Sequence, residues 1–223
     1  MKLLLTSGGL STEQIKHELV RLVGKPLSEI SAAIINDGHH VEAGDKRWAI
    51  DEVANVAKTV GGAIDLISLF ALSIEEIVSR ISQKDVLYIM GGHTDYLMSH
   101  IESSDLAHKL PLLLEDIVYV GSSAGSMIMC NRVTTDSYQK MYGEEGTYGV
   151  ENYLQLIDIA IKPHLDSPDF LNNRRELLEG IAHDYHATLI ALRDDQAIVV
   201  EGSIAKPQIS FIGGEPLIFN PTI

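Results

Sequence analysis

The stretch Ile117-Val118-Tyr119-Val120-Gly121-Ser122-Ser123-Ala124-Gly125 decides how the chain is read. A β-branched and aromatic run predicts a strand. The Gly-x-Ser-x-Gly that follows predicts a sharp strand-to-helix turn with Ser123 at its apex. Glycines two places to either side of the serine suit a crowded turn, where side chains would strike the neighbouring strand and helix. The residue after the serine, Ala124, would offer its backbone N–H to a developing oxyanion, and a helix start adds positive potential. The pattern points to a serine hydrolase of acyl compounds; the plainer reading is a small residue in a tight turn.

Outward from that turn, short apolar runs alternate with longer helical stretches. Residues 3–5, 30–35, 64–69 and 86–90 read as strands. Ser11-Thr12-Glu13-Gln14 and Ser73-Ile74-Glu75-Glu76 carry helix-start signals. Ile15, Leu19 and Leu22 keep one helical face apolar, and a further helix carries Trp48, Val53 and Val56. This alternation predicts parallel strands with crossover helices. The expected fold is α/β, a three-layer sandwich with a mostly parallel central sheet. After a helix around Arg174, residues 188–192, 197–200, 209–212 and 217–219 read as hairpin strands that add an antiparallel edge. With no linker, repeat or low-complexity segment, residues 1–223 are read as a single catalytic domain. Ligands of such sheets gather at the carboxyl ends of the strands. The glycine-rich exits Gly8-Gly9, Gly91-Gly92 and Gly121 to Gly125 would share that edge, and the polar residues 136–151 read as a mobile flap beside it.

Composition narrows the function. A formal net charge of −14 opposes binding to nucleic acid or an anionic membrane. The single cysteine, Cys130, can form no intrachain disulfide and reads as a core residue. Without a signal-peptide core or an apolar run of membrane-spanning length, the expectation is a soluble cytoplasmic protein. No cofactor is called for. His183 and His186, with Asp184 between them, have helical spacing but lack an evident third metal ligand, so no metal is expected.

A serine hydroxyl needs a base, and the base an orienting acid. Among nine histidines, His164 has the best address, following a likely strand at 157–162 and the rigid Pro163. His93, after Gly91-Gly92, either touches substrate or caps the next helix. His39-His40 also follow a strand exit, whereas His17, His100 and His108 read as surface helix residues. For the acid, Asp194 and Asp195 follow a strand downstream of His164, and Asp136 lies between Ser123 and His164. The order serine, acid, histidine would be that of an α/β-hydrolase esterase using Asp136.

Four segments, in this order, resemble the peptidase E (aspartyl dipeptidase) and cyanophycinase family of serine peptidases: Ile89-Met90-Gly91-Gly92-His93, Val120 to Gly125, Lys162-Pro163-His164 and Leu192-Arg193-Asp194-Asp195-Gln196-Ala197. The resemblance implies a fold like that of class I glutamine amidotransferases and hydrolysis of small peptides. It implies Ser123 as nucleophile, His164 as base, and an oxyanion hole from the Gly92 and Ala124 amides. It also implies Asp194 as the third member, where the family commonly has Glu; that shorter acid leaves Asp195 and Asp136 open. Peptidase E proper binds an N-terminal Asp partly through an arginine. Here Arg174 or Arg175 is the candidate carboxylate clamp, against a solvated helix start with Arg175 paired to Glu179. A homodimer and a non-catalytic amidotransferase-like binding module are left open.

Overall fold

Five apolar runs form the parallel strands β1 (Lys2–Thr6), β2 (Ala32–Ile35), β3 (Ile64–Ile67), β4 (Val86–Ile89) and β5 (Val118–Ser122). The computed structural model describes residues 1–183, 185 and 188–220. Between the strands run helices α1 (Glu13–Val23), α2 (Arg47–Thr59), α3 (Ile74–Ile81), α4 (Thr94–Ser103) and α5 (Leu106–Leu113). Side chains fix the helix starts: Thr12 Oγ1 accepts from Ile15 N, and Ser73 Oγ accepts from Glu76 N.

Both faces of this sheet are covered, which is why the strands are apolar throughout rather than alternating. In β1, Leu3 and Leu5 face one core and Leu4 the other. α1 and α2 bring Ile15, Leu19, Leu22, Ala49 and Val56 to the core that contains Leu4, Ile34, Tyr88 and Val120. α3, α4 and α5 bring Ile77, Ile81, Leu97, Ile101 and Leu110 to the opposite core, with Leu5, Ile35, Ile89 and Tyr119. The three-layer expectation holds.

Downstream of β5 come α6 (Ala124–Met127), α7 (Thr135–Tyr142), β6 (Ala160–Lys162), α8 (Arg175–His183) and β7 (Leu189–Ala191). β8 (Ala197–Ser203), β9 (Lys206–Ile212) and β10 (Leu217–Phe219) complete the order. The main sheet runs β3-β2-β4-β5-β1-β8-β9. β8 and β9 form its antiparallel edge. β7 and β10 do not join them, as a single extended sheet would require. They build a second sheet, β10-β7-β6, in which β6 and β7 are parallel. Apolar runs alone did not reveal that 188–192 pairs with a strand nearly thirty residues upstream. The run at 157–162 is strand only over its last three residues. The polar segment 136–151 is largely not a loop at its start: Thr134 caps α7, which extends to Tyr142. Of the His183–His186 pair, His186 and the intervening Asp184 lie outside the described residues. Among the described residues, no helix is long and apolar enough to cross a membrane.

The turn between β5 and α6 is packed tightly against β4. A Cβ placed on Gly125 would lie 2.1 Å from the Ile89 carbonyl oxygen, a backbone atom that cannot yield. By contrast, a Cβ on Gly180, inside α8, meets nothing within 4 Å. Gly125→Ala should therefore lower the thermal midpoint by at least about 4 °C, the signature of an overpacking cost above about 1–2 kcal/mol in a chain of this size. Gly180→Ala should raise it slightly, through helix propensity alone. Thermal unfolding of the two variants beside the wild type checks both signs.

Candidate active site

Ser123 stands at the apex of the turn with φ 51° and ψ −114°, a conformation sparsely populated for any residue with a side chain. Its N–H donates to Thr6 O (3.1 Å), and its own carbonyl accepts from Ser126 N and Met127 N. Ser126 Oγ also donates to Thr6 O (2.7 Å), and Thr6 Oγ1 donates to Gly121 O (2.7 Å). The last residue of β1 thus clamps both sides of the turn. Gly91 lies close by: a Cβ there would be 3.1 Å from Ser123 Cβ. Gly92 has φ 127°, and a Cβ on it would strike the Gly38 backbone at 2.3 Å, so this strand exit admits no side chain.

His164 and Asp194 come from the small sheet. Because β6 and β7 are parallel, their carboxyl ends lie side by side, and the ladder continues past them through Leu192 N to Lys162 O and Leu165 N to Leu192 O. His164 follows β6 and Asp194 follows β7, so the two side chains meet. The imidazole Nδ1 lies 2.6 Å from Asp194 Oδ1, and Nε2 lies 2.8 Å from Ser123 Oγ. Burial works against the charge on Asp194. The hydrogen bond and charge of His164, with bonds from Ser7 and Ser167, outweigh it and hold the carboxyl below its usual range. An ionised carboxylate only accepts, so Nδ1 carries the proton and Nε2 is left to accept from the serine hydroxyl.

Of the three acids considered, only Asp194 reaches the imidazole. Asp136 pairs with Lys140 in solvent, and Asp195 is exposed. The two arginines are directed elsewhere. Arg174 donates to the carbonyls of Ser167, Phe170 and Asn173, while Arg175 pairs with Glu179 on the exposed face of α8. His93 caps α4, its Nδ1 accepting from Tyr96 N, and its Nε2 lies 2.9 Å from Glu145 O. Glu144 accepts from Thr94 N and Oγ1, and Tyr148 packs edge-on against His93, so the end of the 136–151 segment docks on the β4 exit. Cys130 is fully buried, and burial pushes its thiol pKa far up, which leaves it inert.

Two supporting residues carry no sequence signal of their own. Ser7 Oγ donates to Asp194 Oδ1 (2.9 Å) and accepts from His164 N (2.8 Å), tying the small sheet to the exit of β1. Phe170 stacks on the His164 ring, with centroids 4.4 Å apart and planes 18° from parallel. The Arg174 bonds to the loop carbonyls hold that phenyl ring in place. Among the described residues, no group of three or more His, Cys, Asp or Glu side chains is arranged to hold a metal ion.

The profile of peptidase family S51 matches residues 3–207. An uncharacterised peptidase of Pasteurella multocida (strain Pm70) is 23% identical over 158 residues, covering 69% of this chain and 74% of that one. An uncharacterised peptidase of Listeria monocytogenes serovar 1/2a is 25% identical over 171 residues, covering 73% and 75%. In structure, the chain is similar to a protein described as a peptidase E from Listeria monocytogenes EGD-e, with a TM-score of 0.70, 18% identity, and 99% and 98% of the two chains covered. A peptidase from an acI-B1 actinobacterium aligns with a TM-score of 0.63 and 16% identity over 99% and 94% of the chains.

Behind His164, Lys162 is fully buried with its ammonium 3.9 Å from the centroid of the Tyr138 ring and no hydrogen-bond partner among the described residues. Burial lowers its pKa to about 7, with the nearby Glu144 charge opposing the shift. An unfolded chain keeps that lysine protonated to about pH 10. Between these limits the unfolded state binds the extra proton, so this group's contribution to stability rises with pH, and its penalty is fully present at pH 7 and below. Lys162→Met should therefore raise the thermal midpoint most at pH 6–7, with the advantage shrinking to nothing above about pH 10. Melting curves across that range test the sign.

Proposed function

The chain belongs to peptidase family S51, and from that premise we propose that it is a serine peptidase that hydrolyses small peptides by acyl transfer, with Ser123, His164 and Asp194 as its catalytic unit. The observation that carries this reading is the continuous line of hydrogen bonds, Ser123 Oγ to His164 Nε2 at 2.8 Å and His164 Nδ1 to Asp194 Oδ1 at 2.6 Å. The strained backbone at Ser123 supports it, since such conformations persist where the surroundings over-determine them and cluster at active sites.

The steps follow from the geometry. His164 Nε2 takes the Ser123 proton as Oγ adds to the peptide carbonyl carbon. Asp194 holds the imidazole in the tautomer that can accept and stabilises the imidazolium that results. The Gly92 and Ala124 N–H groups receive the oxyanion; among the described residues neither amide has a protein acceptor. The tetrahedral adduct collapses by breaking the C–N bond, and His164 returns the proton to the departing amine. Water, deprotonated by the same nitrogen, then adds to the acyl-serine ester, releasing the carboxylic acid and restoring the hydroxyl. Each oxyanion donor is worth about 3 kcal/mol in barrier.

An N-terminal Asp preference is not part of this proposal. The guanidinium it would need is engaged in both candidates, Arg174 on loop carbonyls and Arg175 on Glu179. A serine–acid–histidine esterase has no support either, because Asp136 pairs with Lys140. The working picture is a single-domain cytoplasmic exopeptidase over residues 1–223, its one thiol buried and suited to a reducing compartment.

Ser123→Ala should abolish hydrolysis in a screen of dipeptides with acidic, basic and neutral first residues while leaving the melting temperature near that of the wild type. Asp194→Asn should lower kcat by at least about a hundredfold, and Asp136→Asn should leave it within a factor of two or so. Full activity of the Ser123→Ala enzyme would end the serine mechanism.

A further inference from the structure

The described residues hold a second carboxyl near Ser123 that the catalytic steps leave unused. Glu52 lies on the second turn of α2, and Asn55 on the next turn donates Nδ2 to Leu10 O (3.2 Å), which fixes that helix face over the exit of β1. Tyr88 Oη donates to Glu52 Oε1 (2.8 Å), and the Ser122 hydroxyl lies beside the same carboxyl. The Gly8-Gly9 exit fits against this group: a Cβ on Gly9 would lie 2.5 Å from Tyr88 Oη, 3.4 Å from Ser122 Oγ and 3.5 Å from Glu52 Oε1. Ser122 directly precedes Ser123, and His164 is near enough for its charge to act on Glu52. The carboxyl therefore lies at the nucleophile's end of the sheet, on the α2 side of the strand edge.

Its partners are uneven. Three other acids around the site each face a basic side chain: Asp95 has Arg132, Asp194 has His164, and Glu144 has His93 at 3.5 Å, whereas the buried Asp37 at the exit of β2 accepts from Leu69 N. Glu52 accepts from the Tyr88 hydroxyl and forms no ion pair among the described residues. Burial raises its pKa against the pull of the Ser122 and Tyr88 hydroxyls. A carboxyl in that position gains more from an arriving cation than an exposed one does, because little water competes for it. The chain's net charge of −14 adds a general attraction for cationic ligands.

We infer that Glu52 receives an ammonium group of the substrate, chiefly the free α-amino terminus of the peptide whose carbonyl Ser123 attacks. The inference rests on the serine-peptidase reading and deepens it. A carboxylate that holds the amino end fixes how far the scissile bond stands from the start of the chain, which makes the enzyme count from the N-terminus. A lysine side chain offers the same chemistry from a second source.

The test compares short peptides that differ only at the amino end: free, N-acetylated, and N-acetylated with lysine as first residue. With the wild type, acetylation should cut kcat/KM at least about tenfold, mainly through KM, as expected for loss of a charge-assisted contact. Recovery of cleavage in the acetylated lysine peptide assigns the carboxyl to a side-chain ammonium as well; no recovery confines it to the α-amino group. In Glu52→Gln, nearly isosteric, the free peptide should fall toward the acetylated one, so their ratio approaches one. Equal cleavage of free and acetylated peptides by the wild type overturns the inference without need of the variant, as does a wild-type ratio retained in Glu52→Gln. Cleavage of no peptide at all would remove the peptidase reading itself and the inference with it.

Discussion

Ser123 keeps its strained backbone because Thr6, the last residue of the neighbouring strand, binds the turn on two sides. The Thr6 carbonyl accepts from Ser123 N and Ser126 Oγ, while its hydroxyl donates to Gly121 O and accepts from Gly9 N. A conformation of this kind costs on the order of 1–3 kcal/mol. It is offset by burial of the residues that flank it, since Ser122 and Ala124 through Cys130 are all buried. The in-register pairing of Thr6 with Ser122 sets where that clamp acts. Slippage of β1 by one residue would exchange the faces of Leu3, Leu4 and Leu5 and lose the turn at the same time.

The proposed reacting groups come from two sheets. The main sheet presents the serine and the glycine exit of β4; the small sheet presents the histidine and its acid. Ser7 secures their registry by bonding both His164 N and Asp194 Oδ1, and Ser11 Oγ adds a bond to Asp194 O (2.8 Å). The short connection from β7 into β8 brings Asp194 there, and Gln196 O accepts from Ser7 N. Phe170 then fixes the plane of the imidazole from its open face, carried on a loop that Arg174 braces. Arg174 thus braces the loop that carries the ring stacked on the histidine.

What the sequence made legible was local. The Gly-x-Ser-x-Gly turn, the rigid Lys162-Pro163-His164 exit and the buried strands each declare themselves within a few residues, through periodicity and steric demand. What it concealed was pairing at a distance. Ser7 lies 157 residues from His164 and 187 from Asp194, so no window in the sequence contains the contact. The choice between Asp194 and Asp195 was concealed for another reason: adjacent turn residues have the same composition and position, and only the backbone decides which faces the ring. The division of the C-terminal strands between two sheets is of the first kind, since runs such as Leu189–Ala191 report burial but not partner. Glu52 combines both difficulties, a single acidic residue on an otherwise ordinary amphipathic helix whose neighbours come from β4 and β5.

The central claim is that Ser123 is chemically activated by His164. The most direct measurement is reaction with a fluorophosphonate followed by mass mapping of the modified peptide. The account predicts one adduct, on Ser123, formed at least about a hundredfold more slowly when His164 is replaced by alanine, the usual contribution of a positioned general base. No adduct, or an adduct on Ser123 formed just as fast without the imidazole, would contradict it.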